Sequence, residues 1–244
     1  MIEGGADLQK PTPALEWRKA ASRLLELLFP GRCVLCGSAI DASYKPFYPV
    51  CASCLQRLPV PAGSRCKICS RSLISESGIC ITCRERNYQF AANTSAFEYR
   101  GAAKQLLAAF KFDNRRRVGM VIADLVAPLL LERGFPVVPV PGRKAALKAR
   151  GWDTVWEICR LLERRYGLQI VRCLQRVGGA PQKALGFEAR KANIAGQIRA
   201  RIPPPARTVL LDDVFTTGAT LDECARVLRR AGGREVYAVT FAID

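Results

Sequence analysis

Eight of the chain's eleven cysteines fall in four C-x-x-C pairs: Cys33/Cys36, Cys51/Cys54, Cys66/Cys69 and Cys80/Cys83. A two-residue gap lets both sulfurs of a turn face one point, and two such turns supply the four thiolates of a tetrahedral zinc site. The intervals between pairs, 14, 11 and 10 residues, lie in the range of zinc ribbons. Two structural zinc ions are therefore expected, and a closed shell of four thiolates leaves no open position for chemistry. Spacing permits consecutive or interleaved pairing of the four turns; consecutive pairing is the simpler. Disulfides are disfavoured, because MIEGGADLQKPTP has neither the basic start nor the apolar core of a signal peptide and a cytoplasmic location is expected. Cys159 and Cys224 fall on apolar helical faces and read as core.

The second stretch that could do chemistry is Thr208 to Thr220, TVLLDDVFTTGAT. Val209, Leu210 and Leu211 read as a strand covered on both faces. Asp212 and Asp213 stand where it emerges, and two adjacent negative charges there are costly unless a cation or a polyol receives them. Thr216, Thr217, Gly218, Ala219 and Thr220 can aim hydroxyls and backbone N–H groups at a phosphate from the start of a helix. One end of the motif suits a phosphate and the other the vicinal hydroxyls of a sugar, which makes a ribose-5-phosphate cradle. No G-K-[ST] follows, so the stretch is not a P-loop.

Absences narrow the chemistry. The chain has no histidine, which removes His ligands, His general bases and every Ser–His or Cys–His arrangement. No apolar run is long enough to span a bilayer; the best, Val121 to Leu131, is short and contains Asp124 and Pro128. The formal charge is +17, with 28 of the 38 basic residues Arg, and eight thiolates with two zinc ions would lower it to about +13. That surplus suits an anionic partner such as nucleic acid or phosphates.

The elements that must position these residues follow from periodicity. Residues 14–29 form an amphipathic helix stopped by Pro30 and Gly31, and the cysteine-rich region runs to about residue 86. Three segments are expected: a helical 1–30, a double zinc ribbon over 31–86, and an α/β domain over 94–244. In the last, Ala102 to Phe112 and Val118 to Leu131 read as helices and Phe135 to Val140 as a strand. PGRKAALKARGWD reads as a basic loop, followed by a helix that Gly167 ends. Leu168 to Leu174 is a further strand, Gln175 to Ile202 a long polar stretch, and Glu235 to Ile243 the last strand. Thr220-Leu-Asp-Glu223 reads as a capping box opening a helix that Gly232-Gly233 closes. Strands alternating with helices imply a mostly parallel sheet, which binds ligands at the carboxyl ends of its strands.

TVLLDDVFTTGAT resembles the phosphoribosyl-pyrophosphate signature of type I phosphoribosyltransferases. Together with the cysteine-rich head, the chain resembles the ComF family, linked to DNA uptake in natural competence, over nearly its full length. LLELLFPGRCVLCG, EYRGAAKQLLAAFKF, VPVPGRKAALKARGWD and LQRVGGAPQKALGFEARKANIAGQI carry the likeness, the last through Arg176, Gln182, Leu185, Arg190, Asn193 and Gly196. The resemblance implies a type I phosphoribosyltransferase-like fold behind an N-terminal helix and a double zinc ribbon. It implies phosphoribosyl pyrophosphate with Mg²⁺, or ribose 5-phosphate, as ligand, with Asp212 and Asp213 as the catalytic carboxylates. Arg143 and Arg150 would lie in the pyrophosphate loop, and Gln182, Arg190 and Asn193 in a flexible loop. The family commonly has Phe-Asn-Gln after Arg-Gly, whereas Trp152, Asp153 and Thr154 follow here, so Asp153 is expected to add negative charge at the pyrophosphate position.

Two classes of function fit. One is a competence protein that uses the pocket for a ribose phosphate and contacts single-stranded DNA and proteins of the uptake machinery; its basic stretches Arg115–Arg117 and Gln175 to Arg201 favour a phosphate backbone. The other is an active nucleobase phosphoribosyltransferase of purine or pyrimidine salvage, in which a base attacks C1 of the ribose as pyrophosphate leaves. For this class the sequence offers no assignable general base and no recognisable nucleobase pocket.

Overall fold

The computed structural model describes residues 31–40, 48–178 and 192–244. The expected helix over 14–29, and with it the 1–30 segment, lies outside them.

β5 (Arg207–Phe215) and β6 (Glu235–Ile243) are the longest strands and pair in parallel at the centre of a four-stranded sheet. β1 (Asn93–Glu98) adds in parallel to β6 and β2 (Val137–Pro139) to β5, giving the order β1-β6-β5-β2. The all-parallel sheet is the one expected, and the reason is visible in β5. Val209 and Leu211 pack into one apolar cluster, while Leu210 between them packs into the other. A strand covered on both faces has no polar side to alternate with.

Three helices cover the first face: α3 (Gly101–Lys111), α4 (Val118–Arg133) and α6 (Thr154–Tyr166). Phe110, Ile122, Leu130 and Leu162 are fully buried there against Val209, Leu211, Val239 and Phe241. The other face carries α7 (Ala219–Arg230), whose Leu221, Cys224 and Leu228 meet Val138, Leu210, Val236 and Ala238. Cys159, Cys173 and Cys224 are all buried core thiols.

The cysteine-rich head, with its short helices α1 (Ala52–Gln56) and α2 (Ile81–Glu85), straddles the β1 edge. Cys33, Tyr48, Val50, Cys54 and Leu58 join the first apolar cluster; Cys66, Cys69, Cys80, Cys83 and Phe90 join the second. The head takes up N–H groups on the open side of the edge strand: Asn93 N donates to the Ile68 carbonyl at 2.7 Å and Ser95 N to Ser70 Oγ at 3.2 Å. An edge left bare would invite foreign strands, and here the ribbon blocks it.

Three expectations need correction. PGRKAALKARGWD is not all loop: Lys144–Arg150 is a helix, α5, ended by Gly151 at φ 76°. Leu168 to Leu174 is not a full strand; it touches the sheet through one parallel bridge, Val137 to Ile170. Leu174 instead opens β3 (Leu174–Arg176), which pairs antiparallel with β4 (Ile198–Ala200). Finally, the capping box does not form. Helix α7 starts at Ala219 with Gly218 as N-cap, and Glu223 turns to Arg226 at 2.6 Å and to the Gly196 N–H at 2.9 Å. An i,i+3 ion pair and one tertiary hydrogen bond together outcompete a local cap worth about 1 kcal/mol.

Candidate functional site

The register of the sheet exposes the carboxylates. β2 ends at Pro139, opposite Leu211, and Val140 N donates to the Leu211 carbonyl at 3.0 Å. Asp212 is thus the first β5 residue beyond its neighbour on that side, at the carboxyl edge where parallel sheets bind ligands. Asp212 Oδ1 accepts from the Asp213 N–H at 2.8 Å. Burial and then the charge of Asp213 push the Asp212 carboxyl up from 3.8 to about 8, against a smaller downward pull from the Asp213 N–H and Lys111. Asp213 has a cation of its own: Lys111 Nζ, at the end of α3, lies 2.7 Å from its Oδ2, with both side chains less than one-fifth exposed.

The loop Thr216 to Gly218 then turns the chain into α7. Gly218 has φ 79°, and a Cβ there would lie 2.7 Å from the Phe215 ring and 2.9 Å from the Tyr88 ring. Both the conformation and the space demand glycine. Thr217 Oγ1 accepts from the Ala219 N–H at 3.5 Å, and Thr220 sits in the first turn of α7 rather than before it. Backbone amides at the start of a twelve-residue helix favour an anion there.

Two guanidinium groups converge nearby. Arg176 is half buried, and burial, then the neighbouring charge of Arg143, lowers its pKa, while Asp212 is close enough to oppose the change. Gln197 Oε1 holds Arg176 by accepting from its Nε and Nη2 at 3.3 and 3.0 Å. An anion between them would relieve that repulsion. Arg150 does not join them; it turns back on its own helix, with Nε donating to the Ala146 carbonyl at 3.3 Å. Asn193 lies in a helical turn before β4, its carbonyl accepting from the Gln197 side chain. Gln182 and Arg190 lie outside the described residues.

Asp153 adds negative charge near the site, as expected, its charge helping to raise Asp212, and it has a second part. Its Oδ1 accepts from Val155 N at 3.0 Å and Trp156 N at 3.2 Å, so it caps α6. Gly142, in the loop after β2, approaches it so closely that a Cβ would lie 3.2 Å from its Oδ2.

The cysteines form two tetrads by consecutive pairing: Cys33, Cys36, Cys51 and Cys54, and Cys66, Cys69, Cys80 and Cys83, with the sulfurs of each set within 4.8 Å. Cys36 and Cys51 sulfurs are 3.7 Å apart, and Cys69 and Cys80 sulfurs 3.8 Å. Those are the edges of a tetrahedron whose centre lies about 2.3 Å from each sulfur, the zinc–thiolate distance. Cys51 N and Cys80 N point at the sulfurs of Cys33 and Cys66, as amides do toward thiolates. The donor set therefore fits two structural zinc ions. The second tetrad is buried throughout, whereas Cys36 of the first is exposed.

Three members of the site carry little mark of their role in the sequence. Lys111 lies in a stretch that carries the family likeness, but its partner is 102 positions away in the chain. Arg176 belongs to another such stretch, which shows its type and not its place beside Asp212. Tyr88, whose hydroxyl donates to the Thr217 carbonyl at 2.8 Å, has no sequence signal at all.

Known proteins are similar to parts or most of the chain. A double zinc ribbon domain model matches residues 24–84. The chain is 26% identical to the DNA utilization protein YhgH of Salmonella typhi, covering 86% of this chain and 96% of the relative. It is 25% identical to the competence protein ComFC of Bacillus subtilis, covering 82% and 89%. Among solved structures it is similar to a purine phosphoribosyltransferase from Pyrococcus horikoshii, at 18% identity and TM-score 0.32, over 51% of this chain and 73% of that one. The chain is thus similar along most of its length to competence and DNA-utilization proteins, with a double zinc ribbon matched at its head.

Proposed function

We propose that the region over 94–244 binds a ribose 5-phosphate unit, free or as phosphoribosyl pyrophosphate with Mg²⁺, and that this binding serves the uptake or use of DNA. One observation supports it most: Asp212 and Asp213 stand side by side at the carboxyl edge of the sheet, and Asp212 is held up near 8 by burial and by its neighbour. A pair so placed is relieved by a cation or by sugar hydroxyls. In this reading Asp212 and Asp213 accept from the ribose hydroxyls, with Lys111 fixing Asp213. The loop over Thr216, Thr217, Gly218, Ala219 and Thr220 receives the phosphate. Arg143 and Arg176 receive the pyrophosphate or a second anion.

The same carboxylates would hold Mg²⁺ with the ligand, and the ion would supply charge neutralisation on the pyrophosphate. Chemistry at C1, where it occurs, would then rest on positioning and on charges fixed in advance. The contact to single-stranded DNA is assigned to Arg115, Arg116 and Arg117, all exposed in the loop between α3 and α4, shortly after Lys111. The names of the relatives, competence protein and DNA utilization protein, accord with this role.

Calorimetric titration with ribose 5-phosphate and phosphoribosyl pyrophosphate, with and without Mg²⁺, tests the reading. Asp213→Asn should weaken both ligands, and Thr217→Val should weaken them by removing a phosphate donor. Wild-type protein with no affinity for either would sink the cradle. Release of pyrophosphate across a panel of bases would show that the site also turns over, and would shift the function toward salvage.

A further inference from the structure

The segment that leaves the second tetrad runs straight to the cradle loop. Cys83 ends the tetrad within α2, and Arg86 and Tyr88 follow within five residues. Tyr88 Oη donates to the Thr217 carbonyl at 2.8 Å, and Arg86 Nη1 reaches the same carbonyl at 3.4 Å and Tyr88 Oη at 3.2 Å. The next residue continues the attachment. Gln89 N donates to Asp222 Oδ1 in the first turn of α7 at 2.6 Å, and the Gln89 carbonyl accepts from Arg229 Nε at 2.7 Å. Tyr88 stacks on Phe90 at 4.7 Å, and both rings meet Phe215 edge-on at 6.3 and 6.2 Å. The Tyr88 and Phe215 rings are also what a Cβ on Gly218 would strike.

These contacts do more than pack. A trans peptide is planar, with its carbonyl and N–H on opposite sides, and the described chain has no cis bonds. Holding the Thr217 carbonyl on Tyr88 and Arg86 therefore aims the Gly218 N–H away from the head. That amide belongs to the loop assigned to the phosphate. Among the described residues the first tetrad has no such line to the cradle: Cys33 and Cys54 pack into the apolar cluster on the opposite face of the sheet.

We propose that residues 86–90 are a brace through which the second zinc site and the phosphate cradle bind their ligands cooperatively, with Tyr88 as a positioning residue for the loop. The physical basis is that four thiols crowded within 4.8 Å hold their arrangement only around a cation. Loss of the metal frees α2 and the start of the brace. Thr217 then loses the donors that fix its peptide plane, and the ligand must order the loop itself. By linkage, a ligand that favours the braced loop favours metal retention at the second tetrad by the same factor. The inference rests on the cradle reading for the identity of the ligand, but the brace is a property of the protein alone.

The test uses the full zinc-loaded chain as wild type, Tyr88→Phe, Cys69→Ser and Cys36→Ser. Tyr88→Phe keeps the ring contacts and removes only the hydroxyl. Cys69→Ser breaks the second tetrad, and Cys36→Ser breaks the first at its exposed ligand. Amide hydrogen exchange is followed without ligand over peptides covering 214–224, where Asp222 N is bonded to the Gly218 carbonyl at 2.8 Å. Titration with ribose 5-phosphate gives affinity. Tyr88→Phe and Cys69→Ser should exchange faster over 214–224 and bind more weakly, by about two- to tenfold for the single hydrogen bond lost in Tyr88→Phe. Cys36→Ser should lose one zinc and change neither reading.

Unchanged exchange in both Tyr88→Phe and Cys69→Ser overturns the brace. Faster exchange with wild-type affinity overturns the cooperativity. Equal weakening by Cys36→Ser overturns the assignment to the second site. Faster exchange in a protein whose wild type binds no sugar phosphate leaves the brace standing and removes the cradle reading instead. Should Cys69→Ser fail to fold, Tyr88→Phe decides alone, since it leaves both tetrads whole.

Discussion

Asp212→Asn should make the ligand-free protein more stable, and increasingly so as pH rises. In the folded state burial and Asp213 lift the carboxyl from 3.8 to about 8. Between those values the folded protein holds a proton that the unfolded chain releases, so stability is greatest at the acid end and is lost as pH rises toward 8. Four pH units correspond to at most about 5–6 kcal/mol. The side chain is only partly buried by area and Lys111 lies close by, so solvent screening leaves a smaller share, on the order of 2 kcal/mol. Asparagine cannot ionise, yet its carbonyl can still accept from the Asp213 N–H that Asp212 Oδ1 now serves. For a chain of 244 residues such a gain corresponds to roughly 4–8 °C in Tm. Scanning calorimetry of both proteins at pH 5, 6, 7 and 8 in zinc-containing buffer should show the gap in Tm widening with pH and levelling off above 8. A gap that does not change with pH, or a variant less stable than wild type at pH 8, would refute the reasoning. The increased stability should come with loss of ribose-phosphate binding, the trade expected where function requires a strained pair of charges.

Lys111→Met should destabilise by about 1–3 kcal/mol in urea unfolding, because it leaves the largely buried Asp213 unpaired; combining it with Asp213→Asn should recover most of that loss in a double-mutant cycle. Gly218→Ala should sharply reduce ribose 5-phosphate affinity in calorimetric titration, since its Cβ would sit inside contact distance of two rings at a positive φ. Metal analysis should find two zinc ions per chain, and chelation should be biphasic, with the exposed Cys36 site releasing first and the fully buried tetrad second. Replacing Arg115, Arg116 and Arg117 together by Ala should reduce the salt dependence of single-stranded DNA binding by up to roughly 3 in log–log slope; a slope unchanged from wild type would remove these residues from the DNA contact.

Features that are local or repetitive can be read from the chain alone. Four C-x-x-C turns specify two tetrads because ligand geometry is set within each turn, whereas the consecutive pairing of the turns is decided by the fold. The apolar run 209–211 ending in two carboxylates specifies a buried parallel strand with its charges at the rim, since strand length and burial are both written in side-chain type. Glycine ends α6 at Gly167 as expected, with φ 65°. Whatever depends on partners distant in the chain emerges only on folding. Asp213 meets Lys111 and Glu223 meets Gly196 only because strands and helices from different segments converge. Asp153 reads as a stray charge until its place at the head of α6 shows it to be a cap. The brace from Tyr88 to Thr217 spans 129 positions and uses a backbone carbonyl, a group every residue carries, so no side-chain pattern could announce it. Local preferences of about 1 kcal/mol yield to such contacts once burial makes each unsatisfied group cost as much or more.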